Sequence, residues 1–155
     1  MKRARTLWLA GVLALVLLAA GTSAWTQEKT ITKKDVPAAV LAAFAKAYPK
    51  AVIRGYSTEV DEGRRVYEVE SVEGKTHRDI TYASDGKVVS VEESLDASAL
   101  PAPVRAAFEK KFPGARILLA EKVTAGATQN YELHFEHNGK KAEVVYDAKG
   151  IEQKH

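Results

Sequence analysis

The sequence of 155 residues contains no cysteine. Disulfides, thiolate nucleophiles and every zinc or iron–sulfur site built on cysteine ligands are therefore excluded. The chain also lacks the GxSxG, HExxH, phosphate-loop and GxGxxG motifs of common enzyme classes. Residues 55–59 lack the second glycine of a nucleophile elbow, and residues 134–137 have the wrong spacing for a zinc protease. These absences predict a protein without catalytic activity.

An excess of positive charge is also missing once the first 24 residues are set aside. The whole chain has 23 basic and 20 acidic residues, and residues 1–24 contain three of the basic ones and no acidic one. The remainder is neutral, with 20 residues of each sign. It therefore has no overall field that would attract nucleic acid or an anionic membrane, and we predict no nucleic-acid partner.

Residues 1–24 have the three parts of a secretory signal peptide. Three basic side chains within the first five residues precede an almost continuous apolar run over residues 7–20, and small residues follow up to Ala24. This pattern predicts cleavage before Trp25, a periplasmic or secreted protein, and no stable membrane insertion after cleavage. The alternative is an uncleaved anchor, for which the apolar run is short. Residues 25–34 are polar and aperiodic, which predicts a flexible leader.

A repeat with an offset of 64 residues occupies the rest of the chain. Residues 36–53 and 100–117 share ten identical residues in eighteen aligned positions, and the similarity continues more loosely to the final glycine turn of each half. Self-similarity this regular indicates duplicated structural units. We assign residues 35–93 to the first unit and residues 94–155 to the second.

Each unit is predicted to open with a helix and to continue as antiparallel strands. Apolar residues recur at helical spacing from Val36 to Ala47, and the prolines at positions 49 and 113 end the two helices. Alternating segments between glycine-containing turns predict strands. The predicted strands are residues 51–60, 64–72, 75–83, 87–93, 115–123, 129–137, 140–147 and 150–153. The predicted fold class is α+β: two tandem repeats of a helix and antiparallel strands form one continuous sheet with both helices on one face.

These motifs resemble those of the bacterial PepSY-like family, which is also described as β-lactamase-inhibitor-like. The resemblance rests on the helix segments VPAAVLAAFAKAYPKA and LPAPVRAAFEKKFPGA, the strand segments VYEVE and NYELHFE, and a tyrosine before each final glycine turn. It covers nearly all of the chain that follows the leader. The resemblance implies an exported protein that binds other proteins or ligands, for example to restrain a peptidase, with the open face of the sheet as the contact surface.

Strict alternation assigns each strand residue either to the face that the helices cover or to the open face. Tyr67, Leu119, Tyr131 and their aligned neighbours are assigned to the covered face. The residues predicted on the open face are Arg54, Tyr56, Glu68, Glu70, His77, Asp79, Arg116, Leu118, Glu132, His134, Glu136, Glu143 and Val145. Two-residue turns at Glu73-Gly74 and Asn138-Gly139 would set the hairpin registers. The cross-strand pairs predicted from these turns are His137–Lys140, His134–Glu143, Glu70–His77 and Glu68–Asp79.

Two uses of the open face are predicted. A protein partner would contact exposed large or cationic side chains, because a few such residues carry most of the energy of an interface. The candidates for that contact are Tyr56, Leu118, Arg54 and Arg116. A divalent cation, the one cofactor considered, would be held by a cluster of carboxylates and an imidazole. The alternative is that these residues form an ordinary solvent-exposed strand face without a ligand. The candidate ligands are Glu132, His134, Glu136 and Glu143.

The leading hypothesis is an exported, non-catalytic binding module that engages an unidentified protein and acts in the manner of a peptidase inhibitor. The alternative is a periplasmic protein that binds a divalent cation or a small ligand. An enzyme is the third and least favoured class.

Overall fold

The structure is a computed structural model that describes residues 28–61 and 63–154. Its eight strands form one antiparallel sheet in which each strand pairs with its neighbours in the chain, and two α-helices complete an α+β fold. The elements are β1 (Lys29–Thr30), α1 (Ala38–Ala47), β2 (Val52–Asp61), β3 (Arg64–Glu73), β4 (Thr76–Ala83), β5 (Val88–Ser94), α2 (Ala102–Lys111), β6 (Arg116–Ala125), β7 (Thr128–His137) and β8 (Lys140–Asp147). Seven of the predicted strands match these bounds to within two residues. The eighth, residues 150–153, is reduced to one bridge between Tyr146 and Glu152.

The predicted signal peptide, residues 1–24, lies outside the described residues. Two residues of the predicted leader belong to the sheet, because Lys29 and Thr30 pair with Thr58 and Ser57 of β2. The next residue, Ile31, packs against the core of the first half. The sequence pattern gave no sign of this pairing, since two strand residues are too few to show a period.

The two helices begin and end at prolines. Pro37 and Pro101 stand immediately before α1 and α2, where a missing amide hydrogen removes no helical bond. Each helix ends at an aromatic residue, Tyr48 or Phe112, which precedes a proline and is therefore driven out of the helical conformation. In the part of the chain that the structure describes, no helix is long and apolar enough to cross a membrane.

Each helix contributes two fully buried side chains to a core on its own half of the sheet. Val40 and Phe44 of α1 pack in a cluster with strand residues. Val104 and Phe108 of α2 occupy the same places in a second cluster. The buried strand residues are Val69, Ile80 and Tyr82 in the first cluster, and Ala120, Tyr131, Leu133, Phe135, Val144 and Tyr146 in the second. Burial of these apolar side chains is the main force that holds the helices on the sheet.

The β7–β8 hairpin has the predicted register. Asn138 and Gly139 are the two turn residues, both with positive φ (52° and 73°), and His137 pairs with Lys140. Positive φ at both positions is the requirement of the tight hairpin turn that Asn-Gly favours. The predicted pair of His134 with Glu143 is confirmed.

The predicted register of the β3–β4 hairpin is wrong by two residues. The turn is Gly74-Lys75, so that Glu73 pairs with Thr76. Gly74 has a φ of +63° and is the first turn residue, as in a turn that needs glycine only at its first position. As a result Glu70 lies opposite Asp79, and neither predicted pair, Glu70 with His77 or Glu68 with Asp79, is formed.

β2 and β6 each contain a bulge near their start. Each bulge reverses the predicted faces of the residues that follow it. The pairing shifts between Ile53 and Gly55, and again between Ile117 and Leu119. A bulge adds one residue to a strand, so every later side chain points to the other face. Leu119, predicted beneath the helix, is 40% exposed, and the prediction of its face is wrong.

Tyr56, predicted on the open face, is on the opposite side for the same reason. It pairs with the buried Val69 and packs against the first core cluster. Its predicted orientation is therefore also wrong, and its side chain is unavailable as an anchor on the open face.

Two core tyrosines, Tyr82 and Tyr146, have buried hydroxyl groups without a hydrogen-bond partner among the described residues. Burial raises the pKa of Tyr82 to about 12. A buried hydroxyl without a partner costs about 1–3 kcal/mol. We therefore expect Tyr82→Phe and Tyr146→Phe each to raise the free energy of unfolding by about 1 kcal/mol in urea denaturation. Tyr131→Phe is the control, because the Tyr131 hydroxyl accepts a hydrogen bond from Gln129 Nε2 (2.6 Å); it should give no gain.

Candidate binding face

One face of the sheet gathers carboxylates from six strands. Residues directly opposite each other in a ladder point to the same face. Asp79 stands between Glu70 and Glu92 in neighbouring strands, and Glu121 pairs with Glu132. Glu92 pairs with Val123, two residues from Glu121, which joins the two groups on one face. We call this surface the acidic face; it comprises Glu68, Glu70, Asp79, Glu92, Glu121, Glu132, His134 and Glu143.

His134 lies at the centre of the carboxylates of the second half. Its Nε2 is 2.9 Å from Glu132 Oε1 and 3.7 Å from Glu121 Oε2, and its Nδ1 is 3.7 Å from Glu143 Oε2. The contact with Glu132 raises the pKa of the imidazole above its usual value, while burial acts in the opposite direction. A single imidazole therefore lies close to three carboxylates, and these carboxylates stabilise its charged form.

Four carboxylates of the acidic face have strongly raised pKa values. Burial, reinforced by neighbouring carboxylates, raises the pKa of Glu68 to about 8 and those of Glu92 and Glu121 to about 7. The same two causes raise the pKa of Asp79 to about 6. His134 acts against the shift at Glu92 and Glu121 but does not cancel it. Without a bound cation, ionisation of these carboxylates therefore lowers the stability of the folded state.

The predicted metal ligands are partly brought together. One ligand atom each from Glu121, Glu132 and His134 lies within 4.8 Å of the other two, which is the spacing of ligands around a metal ion. Glu143 adjoins this group through its contact with His134. Glu136 lies outside it, because its carboxylate is 3.0 Å from Arg116 Nη2.

The residues predicted to contact a protein do not form one patch. Arg54 and Leu118 occupy the bulges and are exposed, whereas Arg116 is held in its ion pair with Glu136. Tyr56, on the other face, does not join them.

Sequence reasoning missed two central members of the acidic face, Glu92 and Glu121. Glu92 lies inside a correctly predicted strand, as the fifth residue of β5, but no residue of that strand was assigned to the open face. Glu121 was missed because strict alternation ignores the bulge before it. Gly55 gave a signal that could have revealed the bulge of β2, since glycine inside a strand often marks one.

Solved structures with the same fold come from Bacteroides. A protein of Bacteroides eggerthii described as "putative periplasmic" superimposes with a TM-score of 0.66 and 18% identity over 77% of this chain and 86% of that one. A DUF2874 family protein of Bacteroides ovatus gives 0.62 and 20% over 77% and 85%. A BLIP-like protein of Bacteroides fragilis gives 0.60 and 18% over 77% and 84%. At these identities the similarity establishes the fold.

A search of proteins with curated descriptions found no relative. The family model described as "Putative beta-lactamase-inhibitor-like, PepSY-like" matches twice, over residues 21–90 and 65–153. These matches together span most of the sequence and confirm the resemblance seen in its helix and strand motifs. The chain therefore belongs to the PepSY-like family.

Proposed function

We propose that this protein is an exported, non-catalytic binding module whose acidic face binds a positively charged surface of another protein. The observation that carries the proposal is the gathering of seven carboxylates on a single face of the sheet, of which only three contact the one imidazole, His134. Repulsion between neighbouring carboxylates destabilises the folded protein. A cationic partner would neutralise this repulsion when it binds. Export is supported by the signal-peptide pattern and by the periplasmic description of a protein with the same fold.

The proposal needs an acidic face that the helices leave open, and the ladder registers support this. Val91 packs with the first core cluster and pairs with Ile80 on one side and with Thr124 on the other. Thr124 pairs with Gln129, which alternates along β7 with the buried Tyr131 and thus shares its face. Both core clusters therefore lie on one side of the sheet. We infer that the chain is two copies of one unit, residues 35–93 and 94–155, with both helices on that side.

The inhibitor-like role that the family description names would use the same surface. A non-catalytic module can restrain an enzyme by covering its active site with a complementary surface, and opposite charges speed and orient that encounter. The expected target, in this interpretation, presents lysine or arginine side chains.

Capture from a periplasmic extract tests the proposal. Immobilised wild-type protein is expected to retain at least one protein that moderate salt elutes, since the contact depends on charge. Glu121→Gln keeps the shape of the side chain and removes a central charge, so it should retain several-fold less of that protein. Glu109→Gln is the matched control, because Glu109 is exposed on α2. Equal retention by all three proteins would contradict the proposal.

A divalent cation is the second candidate ligand of the acidic face. The specific observation that favours it is the convergence of Glu121, Glu132 and His134 within 4.8 Å. Two carboxylates and an imidazole are suitable ligands for Zn²⁺, and carboxylates alone suit Ca²⁺.

Thermal denaturation with added Zn²⁺ or Ca²⁺ tests the second candidate. An ion that binds only the folded protein should raise the melting temperature by about 3–8 °C at saturation. Glu132→Gln should abolish the rise. Glu136→Gln should preserve it, since Glu136 pairs with Arg116 outside the group. An unchanged melting temperature of the wild type with both ions would remove this candidate.

A further inference from the structure

Two adjacent leucines are exposed at the bulge of β6. Leu118 and Leu119 are each 40% exposed, although β6 lies inside the sheet between β5 and β7. Three other large apolar side chains are exposed among the described residues. Val52 and Val88 are the first residues of β2 and β5, and Ile151 follows the turn after β8. Burial of a leucine favours folding, so core packing does not explain a pair left in solvent on an inner strand.

The first unit has no counterpart of these leucines. The aligned positions hold Arg54 and Gly55. The bare Gly55 leaves room for the carboxylate of Glu70, from which a Cβ at position 55 would be 2.9 Å away. In the second unit Leu119 stands opposite His134 instead. The two halves share the bulge but differ in the side chains beside the carboxylates, which gives the second half an apolar contact that the first lacks.

The apolar pair and the carboxylates have the spacing of alternate residues in an extended chain. Leu119 and Glu121 are two residues apart on the same face of β6, a distance of about 7 Å in a strand. We infer that the acidic face binds an extended protein segment with an apolar and a basic side chain at alternate positions. The apolar side chain packs on Leu118 and Leu119, and the basic one enters the carboxylates around Glu121. This specificity rests on the proposed function and adds the sequence pattern of the partner.

Three synthetic peptides of nine residues test the inference by calorimetry at low salt. All carry three lysines at positions 2, 4 and 8, with serine elsewhere. The first has no leucine, the second has leucine at position 6, and the third has leucine at position 5. In an extended chain only the second presents leucine on the same side as the lysines. We expect the second peptide to bind about tenfold more tightly than the other two, because an apolar anchor adds to the same charge.

Two variants separate the apolar contact from the charge contact. Leu118→Ser/Leu119→Ser removes two partly exposed apolar side chains; the variant should still unfold in one cooperative transition and lose the tenfold preference for the second peptide. Glu121→Gln should weaken binding of all three peptides. Equal affinities of the three peptides for wild-type protein would overturn the alternating pattern and leave the proposed function standing. No binding of any peptide would overturn both.

Discussion

Replacement of Gly86 by alanine is expected to lower the free energy of unfolding by roughly 3 kcal/mol and the melting temperature by about 10 °C. Gly86 has a φ of +84°, and a Cβ built on it would lie 2.7 Å from the carbonyl oxygen of Ala39 in α1. The turn after β4 thus contacts the helix backbone directly, and a methyl group there would push α1 off the sheet. Gly150, with a φ of +78°, stands in the same relation to Pro103 of α2, and Gly150→Ala should have a similar cost.

Gly114→Ala is the matched control for both substitutions. Gly114 has a φ of +77°, but a Cβ at this position would meet nothing within 4 Å. The control therefore measures the cost of the left-handed backbone alone, about 1 kcal/mol. Urea denaturation of the three variants separates backbone strain from contact with the helix. Equal losses at positions 86 and 114 would show that the turn does not support α1.

The protein is expected to become less stable as the pH rises from 5 to 8.5. The pKa of Glu68 in the folded protein is about 8 and those of Glu92 and Glu121 are about 7, whereas all three start from 4.5. The folded state therefore holds protons that the unfolded state has released, and the free energy of unfolding falls with pH over this interval. His134 changes stability in the same direction, because its pKa is also raised by folding. We expect a loss of about 2–4 kcal/mol, measured by thermal and urea denaturation.

Glu68→Gln assigns this pH dependence to the acidic face. Glutamine removes the charge and keeps an oxygen near the Ser57 hydroxyl, which lies 3.5 Å from Glu68 Oε1. The variant should match the wild type at pH 5 and be more stable at pH 8 by about 1–2 kcal/mol. Glu109→Gln, on the exposed side of α2, should leave the pH profile unchanged. If the free energy of unfolding of the wild type stayed constant or rose toward pH 8, the expected destabilisation by ionised carboxylates on the acidic face would be contradicted.

Much of the fold can be predicted from the sequence because its signals are local. Prolines 37, 49, 101 and 113 bracket the helices, and Asn138-Gly139 determines one hairpin register through the backbone conformations that the two residues tolerate. The family resemblance from these same segments is confirmed by the family model.

The candidate site is harder to predict because it depends on non-local pairing. One added residue in each of β2 and β6 reverses the faces of Tyr56 and Leu119 and brings Glu121 beside His134. The turn at Gly74 places Glu70 opposite Asp79 instead of His77, which replaces a predicted carboxylate–imidazole pair with a pair of carboxylates. The bulges and the turn shift the strand register by one or two residues. The alternation of apolar and polar residues along a strand does not reveal such a shift.

Titration of the side-chain carboxyl carbons by NMR follows the ionisation of each glutamate of the acidic face separately. We expect Glu68, Glu92 and Glu121 to titrate with midpoints near 7 or 8, far above the ordinary 4.5. The midpoints should fall toward ordinary values when the lysine peptide with leucine at position 6 is bound, because an added cation favours the ionised form. Midpoints near 4.5 for all three in the free protein would contradict the account.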